Sequence, residues 1–578
     1  MGAHSEDVLN GLDPEQREVA ITLKGPVVVL AGAGSGKTRA ITHRIAHGAL
    51  TGVHDPRRTL ALTFTNRAAG HMRAQLAHLG VEGVQSRTFH SAALRQLRYF
   101  WPKVFPGNAP TLLDRKASVV AEASASIGLP TDATTIRDLA AEIEWSKAVL
   151  LSPDDYATHA HARGRLTPSG MTFTDVARVM SLYAELLASR RLMDFEEVLL
   201  LLLALLEEEP ALADEVRAQY RHFTVDEYQD VNQVQQKLLQ TWLGDNNDIC
   251  VVGDAAQTIY TFAGASSEYL QNFERTFRGA SVITLDRCYR CTPQIVALAN
   301  QVVPRTHRIT LKSQRPPGHR PELHAFDNEV AEAEGVAVRV KALVGEGVRP
   351  RDIAILYRIN AQSEVFEDAL TNYELPYTIR GGERFFDRPE VKQAVMLLRG
   401  ARAGAVSTDT ALPEQVSAAL VGLNIPKKAP EGRGAARDRW ESIAALMSLV
   451  DELIAKQPEA TLDDLIRHLD ERSTAQHAPT ANGVTLATFH AAKGLEWPYV
   501  FVVGLVDGTV PISYATTSAL VEEEKRLLYV ALTRAEDELW LSWSRARTPG
   551  QRPSRDRSRF LHGLDLSVLE IAGDPTLK

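Results

Sequence analysis

Short runs of continuous apolar residues alternate with longer stretches of helical periodicity over most of the chain. The apolar runs that predict strands are 27–32, 60–64, 222–227, 248–254, 281–286, 353–358, 483–488, 499–505 and 538–543. Strands that are apolar throughout and lie between helices are typical of parallel sheets covered on both faces. Because two helix-rich stretches interrupt these strands, at roughly 100–195 and 400–480, we predict an α/β fold of two lobes, each with a helical insertion.

Length and composition change this picture in only a few respects. A chain of 578 residues is too long for a single core, so several domains are expected. The longest apolar run, Val198 to Leu206, is about half of the ~20 residues that span a bilayer, so it predicts a buried helix. With three cysteines and no apolar signal-peptide core at the N-terminus, the sequence indicates a reduced, cytoplasmic protein with no membrane partner. The net charge of −8 gives no overall basic footprint, but it does not exclude nucleic acid because a single groove can be basic.

The stretch VVVLAGAGSGKTRAITHRI combines a buried strand, a glycine-rich turn and a helix start, which is the context of a phosphate-binding P-loop. Its backbone N–H groups would approach phosphates at a helix N-terminus. Lys37 would reach the outer phosphates and Thr38 would hold Mg²⁺, so ATP and Mg²⁺ are the predicted cofactors. The pattern usually has glycine six residues before the lysine, where this chain has Ala31. The residues predicted to cradle the phosphates are Ala33, Gly34, Ser35 and Gly36.

Two carboxylates end a predicted strand in the stretch FTVDEYQD. A P-loop enzyme needs an acid on a neighbouring strand to bind Mg²⁺, which suits Asp226. The adjacent Glu227 suits the orientation or deprotonation of an attacking water. A polar loop after a strand is the alternative interpretation.

Ten segments in a fixed order resemble the motif set of the superfamily 1A helicases, the UvrD/PcrA/Rep type. They are AGAGSGKT, TFTNRAAGHM, RTFHSA, VDEYQDVNQVQ, VVGDAAQTIYTFAGA, YRCTPQIVALAN, ILYRINAQSEVFEDAL, YTIRGGERFFDRPEVK, TLATFHAAKGLEWPYVFVVGL and EEEKRLLYVALTRAED. The short segment before the ninth resembles compact actinobacterial UvrD-like helicases. The resemblance implies two RecA-like P-loop lobes, each interrupted by a helical insertion subdomain. The implied divisions are 1–100, 196–286 (first lobe), 101–195 (its insertion), 287–395, 483–562 (second lobe), 396–482 (a shortened insertion) and 563–578 (a tail).

The resemblance also assigns nucleotide contacts. Tyr289 would stack on adenine, Arg290 and Arg534 would contact the γ-phosphate, and Gln257 would sense it. Gln16 would read the adenine, Arg39 would flank the base and Glu496 would contact the ribose. Gln16 has a second interpretation, because it could complete a capping box begun by Asp13.

Two cysteines, Cys288 and Cys291, flank Tyr289 and Arg290. A zinc site there would need two more ligands, usually another Cys/His pair, and Cys250 lies in a predicted buried strand. We therefore expect no zinc in this protein. A redox role stays an alternative.

Sequence-tolerant binding of single-stranded DNA needs aromatic faces for stacking and polar groups for phosphates. By resemblance the stacking residues are Phe64, Tyr260 and Phe262, although each could instead be a core aromatic. Ala263 stands where the family usually has Arg or Lys. The residues that match backbone contacts are Thr63, Asn66, Thr88, His90, Arg358 and His490.

The whole pattern predicts an ATP-driven motor that moves 3′ to 5′ along single-stranded DNA and unwinds duplex at junctions, in DNA repair or replication maintenance. The polarity comes from the resemblance alone. Two alternatives stay open: a translocase that needs a partner, such as a repair protein, to unwind, and an ATP-gated DNA-binding factor. A basic loop that either contacts duplex phosphate or is solvated carries Lys427, Lys428, Arg433, Arg437 and Arg439.

Overall fold

The computed structural model divides the chain into two compact units, Met1–Tyr289 with Pro304–Lys312, and Arg290–Val303 with Ser313–Lys578. The residues that the structure describes are 5–131, 133–165, 167, 171–303, 309–359, 362–380, 389–403, 411–423, 443, 446–447, 450, 453–454, 457–475, 482–513, 515–547, 549–550 and 552–572. The basic loop with Lys427 and Lys428 lies outside them.

The first unit is built on a parallel sheet. In chain order its strands are β1 (Val27–Ala31), β2 (Thr59–Thr63), β3 (Gln85–Thr88), β4 (Thr111–Leu112), β5 (Leu192–Met193), β6 (His222–Val225), β7 (Ile249–Gly253) and β8 (Ser281–Leu285). Within the described residues the main sheet has the order β3-β2-β6-β7-β1-β8, and β4 pairs separately with β5. Every neighbouring pair in the main sheet is parallel, so the carboxyl ends of its strands lie along one edge.

Helices cover both faces of this sheet, and further helices between β4 and β5 in the chain form a separate cluster. They are α1 (Pro14–Ile21), α2 (Lys37–Leu50), α3 (Asn66–His78), α4 (Phe89–Val104), α5 (Lys116–Ser126), α6 (Ala133–Ala148), α7 (Pro153–Ala162), α8 (Phe173–Ser189), α9 (Glu197–Glu208), α10 (Pro210–Gln219), α11 (Gln233–Leu243), α12 (Glu268–Gln271) and α13 (Phe273–Thr276). Helices α5 to α8 bury an apolar cluster of their own. The predicted buried helix is confirmed, since α9 buries six residues of the apolar run within the core of the sheet.

The second unit contains another parallel sheet. The strands of this sheet are β11 (Glu322–Phe326), β12 (Ile353–Tyr357), β13 (Tyr377–Arg380), β14 (Val484–Thr488), β15 (Trp497–Val502), β16 (Ala535–Ser544) and β17 (Glu570–Ala572). Two short strands come before them in the chain and pair separately: β9 (Arg287–Cys288), which belongs to the first unit, and β10 (Lys312–Ser313), which has one residue in each unit. The sheet order among described residues is β13-β14-β12-β15-β16-β11-β17, with parallel pairing throughout. Its helices are α14 (Pro293–Val302), α15 (Glu329–Gly345), α16 (Ser363–Asn372), α17 (Pro389–Ala403), α18 (Leu412–Leu420), α19 (Leu462–Ala475) and α20 (Ser518–Leu532).

The two parallel sheets with interrupting helices confirm the predicted α/β class. Helices α17 to α19 share an apolar cluster separate from the sheet, as α5 to α8 do in the first unit. Each apolar run that predicted a strand contains one in the structure. The strands that were not predicted are β3, β4, β5, β9, β10, β11, β13 and β17. Among the described residues, no helix has the length and apolar character needed to span a membrane.

Candidate functional site

The phosphate loop joins the end of β1 to the start of α2. Gly34 and Gly36 have φ of 69° and 77°, a left-handed conformation that favours glycine. Gly36 is the N-cap of α2 and supplies no side-chain hydrogen bond to the helix start, so the first amides of α2 are available to an anion. Ala31 is the last residue of β1, which explains why the usual glycine can be replaced there.

Two carboxylates follow β6 at the edge of the sheet where β1 enters this loop. The Thr38 hydroxyl donates to Asp226 Oδ2 at 3.1 Å. Burial, together with the neighbouring Glu227, raises the pKa of Asp226 to about 7, and Lys37 opposes this rise. Glu227 has a φ of 52°, a strained conformation for a residue with a side chain. A hydroxyl and a carboxylate oxygen held together in this way fit the oxygen ligands that Mg²⁺ prefers.

Asp254 is a residue of this site that was not predicted. It follows β7, which is the parallel neighbour of β6, and it accepts hydrogen bonds from Gln257 Nε2 at 2.7 Å and from the Ala256 amide at 3.0 Å. Burial raises the pKa of Asp254, and Lys37 opposes this rise. An acid directly after a buried strand was the signal that identified Asp226, and the stretch VVGD carries the same signal.

Gln229 connects the two strand ends. Its Nε2 donates to the Glu227 carboxylate and its Oε1 accepts from the Asp254 amide at 3.0 Å. Gln229 is fully buried, so this amide fixes the predicted water-activating carboxylate relative to the segment that carries Gln257.

The residues predicted to contact the base meet at the other side of the loop. Gln16 Nε2 donates to the Ser35 carbonyl at 2.9 Å, and the Tyr289 amide donates to the Gly34 carbonyl at 2.9 Å. Asp13 caps α1 as expected, by accepting from the Gln16 amide at 2.6 Å, and it also accepts from the Tyr289 hydroxyl. The Gln16 side chain therefore supports the phosphate loop, while the cap itself belongs to Asp13.

Arg39 lies on the exposed face of α2. Its Nη2 donates to the Gly11 carbonyl at 2.9 Å. Arg39 is thus held beside the segment that leads into α1, close in sequence to Asp13 and Gln16.

The predicted arginines and the predicted ribose contact lie together in the second unit. Arg290 forms an ion pair with Glu496 at 2.6 Å and donates to the Thr533 carbonyl at 3.2 Å. Arg534 is buried and donates to the Leu495 carbonyl at 3.1 Å. The segment 495–496 therefore contacts both arginines.

All three cysteines are buried. Cys250 lies within β7, as its position predicted, and the Cys291 thiol donates a long hydrogen bond of 3.8 Å to the Thr533 carbonyl. Burial raises the pKa of the Cys250 thiol, so this cysteine is a poor nucleophile.

Exposed aromatic rings follow β2 and β7 in the first unit. Phe64 stacks on Tyr260 with 5.6 Å between ring centroids, and Tyr260 meets Phe262 edge-on at 6.1 Å. Phe64 is 44% exposed and Phe262 is 55% exposed, so neither ring belongs to the core. These three side chains form an aromatic surface of the kind that stacks nucleic-acid bases.

Phe195 adds a ring that was not predicted. It is 54% exposed and stacks on His90 with 3.9 Å between centroids. Burial lowers the pKa of His90 to about 4, so the stacked imidazole is neutral at pH 7. Phe195 comes two residues after β5, but the sequence predicted no strand there, so nothing marked Phe195 as a ring that follows a strand.

The other predicted polar contacts of the first unit build helix starts. Thr63 ends β2 and donates to the Thr65 carbonyl at 3.0 Å, and Asn66 is the first residue of α3. Thr88 caps α4 through a capping box with Ser91. The side chains of Thr63 and Thr88 therefore shape the segments that follow β2 and β3.

Arg358 and His490 lie in the second unit. Arg358 is buried and donates to both carboxylate oxygens of Glu524, at 2.7 and 3.0 Å. Burial, and the charge of Arg358, lower the pKa of His490 to about 4. The structure thus places these two residues near each other, with the arginine charge balanced by Glu524.

Comparisons with known proteins agree with this arrangement. The family model for the UvrD/REP helicase N-terminal domain matches residues 12–278, and the model for the UvrD-like helicase C-terminal domain matches residues 283–403 and 414–546. The ATP-dependent DNA helicase UvrD2 of Mycobacterium tuberculosis (strain ATCC 25618 / H37Rv) is 47% identical over 98% of this chain and 83% of its own length. The ATP-dependent DNA helicases PcrA of Bacillus subtilis (strain 168) and of Staphylococcus aureus (strain COL) are 30% and 29% identical, over 98% and 97% of this chain and 87% of their own lengths. Because the two family models together match most of the chain, the protein belongs to the UvrD/REP helicase family.

Proposed function

We propose that the protein is an ATP-dependent DNA helicase that moves 3′ to 5′ along single-stranded DNA and separates duplex at junctions. The observation that carries the coupling of ATP to DNA in this proposal is the segment 254–262, whereas the polarity rests on the resemblance alone. This segment begins at Asp254 and Gln257 beside the phosphate loop and ends at Tyr260 and Phe262 on the aromatic surface. A shift of Gln257 that follows the state of the nucleotide would therefore be transmitted to the stacked bases within a few residues.

The phosphate loop and its neighbours supply the groups that phosphoryl transfer to water needs. The amides at the start of α2 and the Lys37 ammonium bind the phosphates. Thr38 and Asp226 are the residues that would hold Mg²⁺, which neutralises charge on the outer phosphate oxygens when it is bound.

Glu227 is the proposed general base. Its carboxylate accepts from Gln229, which leaves acceptor capacity for the attacking water. The water gives its proton to this carboxylate as its oxygen attacks the γ-phosphorus, and ADP leaves. The strained backbone at Glu227 fits a residue whose position is set by function.

Roles in the second unit follow the family motifs that these residues match. We propose that Arg290 and Arg534 contact the γ-phosphate and that Glu496 contacts the ribose. The ion pair between Arg290 and Glu496 supports this proposal, because it keeps the arginine oriented when no phosphate is present. We also propose that Arg358 and His490 contact the DNA strand, with Glu524 positioning Arg358.

The test uses matched duplexes with either a 3′ or a 5′ single-stranded tail, in the presence of ATP and Mg²⁺. Strand separation and phosphate release are measured in the same reactions, with the Glu227→Gln variant as the control for contaminating activity. Separation only from the 3′ tail supports the proposal with its polarity. DNA-stimulated hydrolysis without strand separation would instead identify a translocase that needs a partner protein. A rate of hydrolysis that is the same with and without DNA would overturn both the helicase and the translocase interpretations.

A further inference from the structure

Arg165 joins the helical insertion of the first unit to the segment that carries two of the predicted stacking rings. It follows α7 in the chain, and its Nη1 donates to the Phe262 carbonyl at 3.0 Å. The contact links positions that are 97 residues apart in the sequence, and both lie within the first compact unit. A single side chain thus connects the end of α7 to the turn that presents the Phe262 ring.

The Arg165 guanidinium is held in place from the side of the insertion. Its Nη2 donates to Glu142 Oε1, and its Nε donates to Glu142 Oε2 at 3.4 Å. The Glu142 side chain is only 7% exposed and also accepts from the hydroxyl of the buried Tyr156 at 2.6 Å. The guanidinium carbon lies 4.4 Å from the centroid of the Trp145 ring. Because the guanidinium is planar and rigid, a carboxylate on one side and an indole ring on its face fix the direction in which Nη1 points.

The turn that carries Phe262 packs directly on the insertion. The carbonyls of Tyr260 and Thr261 accept from backbone amides inside the turn, at 3.0 and 2.9 Å. Gly264 has a φ of 92°, and a Cβ on it would lie 3.0 Å from the Ala148 Cβ at the end of α6. The Phe262 ring is 55% exposed, so the insertion holds the backbone of the turn while the ring faces solvent.

We propose that Arg165, fixed by Glu142, is a positioning residue that holds the Phe262 ring where a base of single-stranded DNA stacks on it. The inference rests on the proposed function, because it takes the aromatic surface to be the site of the DNA strand. A ring that is already held in place loses little conformational entropy when a base stacks on it, which favours binding. The helical insertion would therefore contribute to DNA affinity through a backbone contact, without touching the strand at Arg165.

The test is a double-mutant cycle on the full chain, measured as affinity for a fluorescently labelled single-stranded oligonucleotide without nucleotide. Arg165→Met and Phe262→Ala are measured singly and together. Methionine keeps much of the side-chain length over Trp145 but removes the donor to the Phe262 carbonyl. The matched control is Arg163→Met, because Arg163 is exposed and lies over the same Trp145 ring at 5.7 Å, with no hydrogen bond to the turn within the described part of the chain.

We expect Arg165→Met to weaken DNA affinity at least ~threefold when Phe262 is present, and less than ~twofold in the Phe262→Ala background. Arg163→Met should bind within about twofold of the unaltered protein. A direct contact of Arg165 with a DNA phosphate gives different results. The loss would persist without the Phe262 ring, and the salt slope of binding would fall by about 0.7 relative to Arg163→Met. Either of these results overturns the proposal.

Folding is checked by circular dichroism and Tm, because Arg165→Met leaves the buried Glu142 carboxylate without its cation. The Glu142→Gln/Arg165→Met variant removes both charges and keeps an acceptor for the Tyr156 hydroxyl. It should show the same non-additive loss with Phe262→Ala. Additive losses in this variant overturn the proposal even where Arg165→Met alone misfolds.

Failure of the positioning role is distinguishable from failure of the proposed function. If Phe262→Ala binds DNA weakly while Arg165→Met binds normally, the positioning role alone is overturned. If Phe262→Ala binds single-stranded DNA as tightly as the unaltered protein, the stacking role of Phe262 in the proposed function is overturned and the positioning role falls with it.

Discussion

The Thr38 hydroxyl donates a 3.1 Å hydrogen bond to Asp226 and so joins the helix after the phosphate loop to the end of β6. This contact brings together two residues that are 188 positions apart in the sequence. Glu227 comes directly after Asp226, and Asp254 comes after β7, the strand that pairs with β6. A hydroxyl from the helix and a carboxylate from the strand are the two groups that a P-loop enzyme uses for Mg²⁺. The same contact therefore places Glu227, the proposed water-activating group, directly after this pair.

Replacing Glu227 by glutamine should abolish turnover while ATP still binds. The substitution keeps the shape of the side chain but removes the proton acceptor, which typically contributes about 10²- to 10⁴-fold in rate. Steady-state hydrolysis and equilibrium binding of a fluorescent ATP analogue separate the two effects. The matched control is Glu274→Gln at an exposed glutamate of α13, which should leave both unchanged. A Glu227→Gln protein with near-normal turnover would assign the base to another residue.

Replacing Asp254 by asparagine should uncouple hydrolysis from DNA. Gln257 donates to Asp254, and an asparagine keeps this pair only if the Gln257 amide turns over and presents its other group. We expect DNA stimulation of the ATPase to fall roughly tenfold, equivalent to about 1.4 kcal/mol, with a smaller change in the rate without DNA. The ratio of the ATPase rates with and without single-stranded DNA gives this stimulation directly. An equal loss in both rates would mean that Asp254 acts on chemistry and not on coupling.

The sequence predicts most inner strands of both sheets, but it misses the inner strand β11 and several other strands with mixed composition. β1, β7 and β12 are continuous apolar runs because neighbours and helices cover them on all sides. β3 and β13 lie at sheet edges, and their sequences QSRT and YTIR give no apolar run to recognise. Motifs therefore predict positions within elements, but they do not give the pairing between elements.

The same limit explains what was missed in the site. The Asp13–Tyr289 hydrogen bond joins positions 276 residues apart, and the Arg358–Glu524 pair joins positions 166 apart. The sequence identifies Asp13, Tyr289 and Arg358 one by one, but it does not give their partners. Glu524 carries no local signal, because a charged residue in a helix such as α20 is usually solvated. Asp254 is the exception, since the rule that identified Asp226 applies to it equally.

Replacing Phe195 by alanine should weaken binding of single-stranded DNA. The ring is exposed and held flat against His90, so it offers a face on which a base can stack. Loss of one stacked base costs about 1–3 kcal/mol in affinity. Fluorescence anisotropy with a labelled oligonucleotide gives the change, and Phe64→Ala should show a similar loss. Tyr99→Ala is the matched control, because this aromatic is 57% exposed but packs against Phe100 and Lys103. Equal losses of DNA affinity in the Tyr99 and Phe195 variants would indicate that removing any exposed aromatic ring weakens binding, without a specific stacking role for Phe195.

Replacing Glu524 by glutamine should destabilise the second unit. Arg358 and Glu524 form a two-point hydrogen-bonded ion pair with side chains only 10% and 7% exposed. Removal of one partner leaves an uncompensated buried charge, which typically costs about 3–5 kcal/mol. Thermal and urea unfolding measure the loss. The comparison is Asp470→Asn, which breaks the surface pair with Arg399 and should cost less than about 1 kcal/mol. If Glu524→Gln keeps full stability but loses DNA affinity, then Glu524 positions Arg358 for the DNA strand and contributes little to the core.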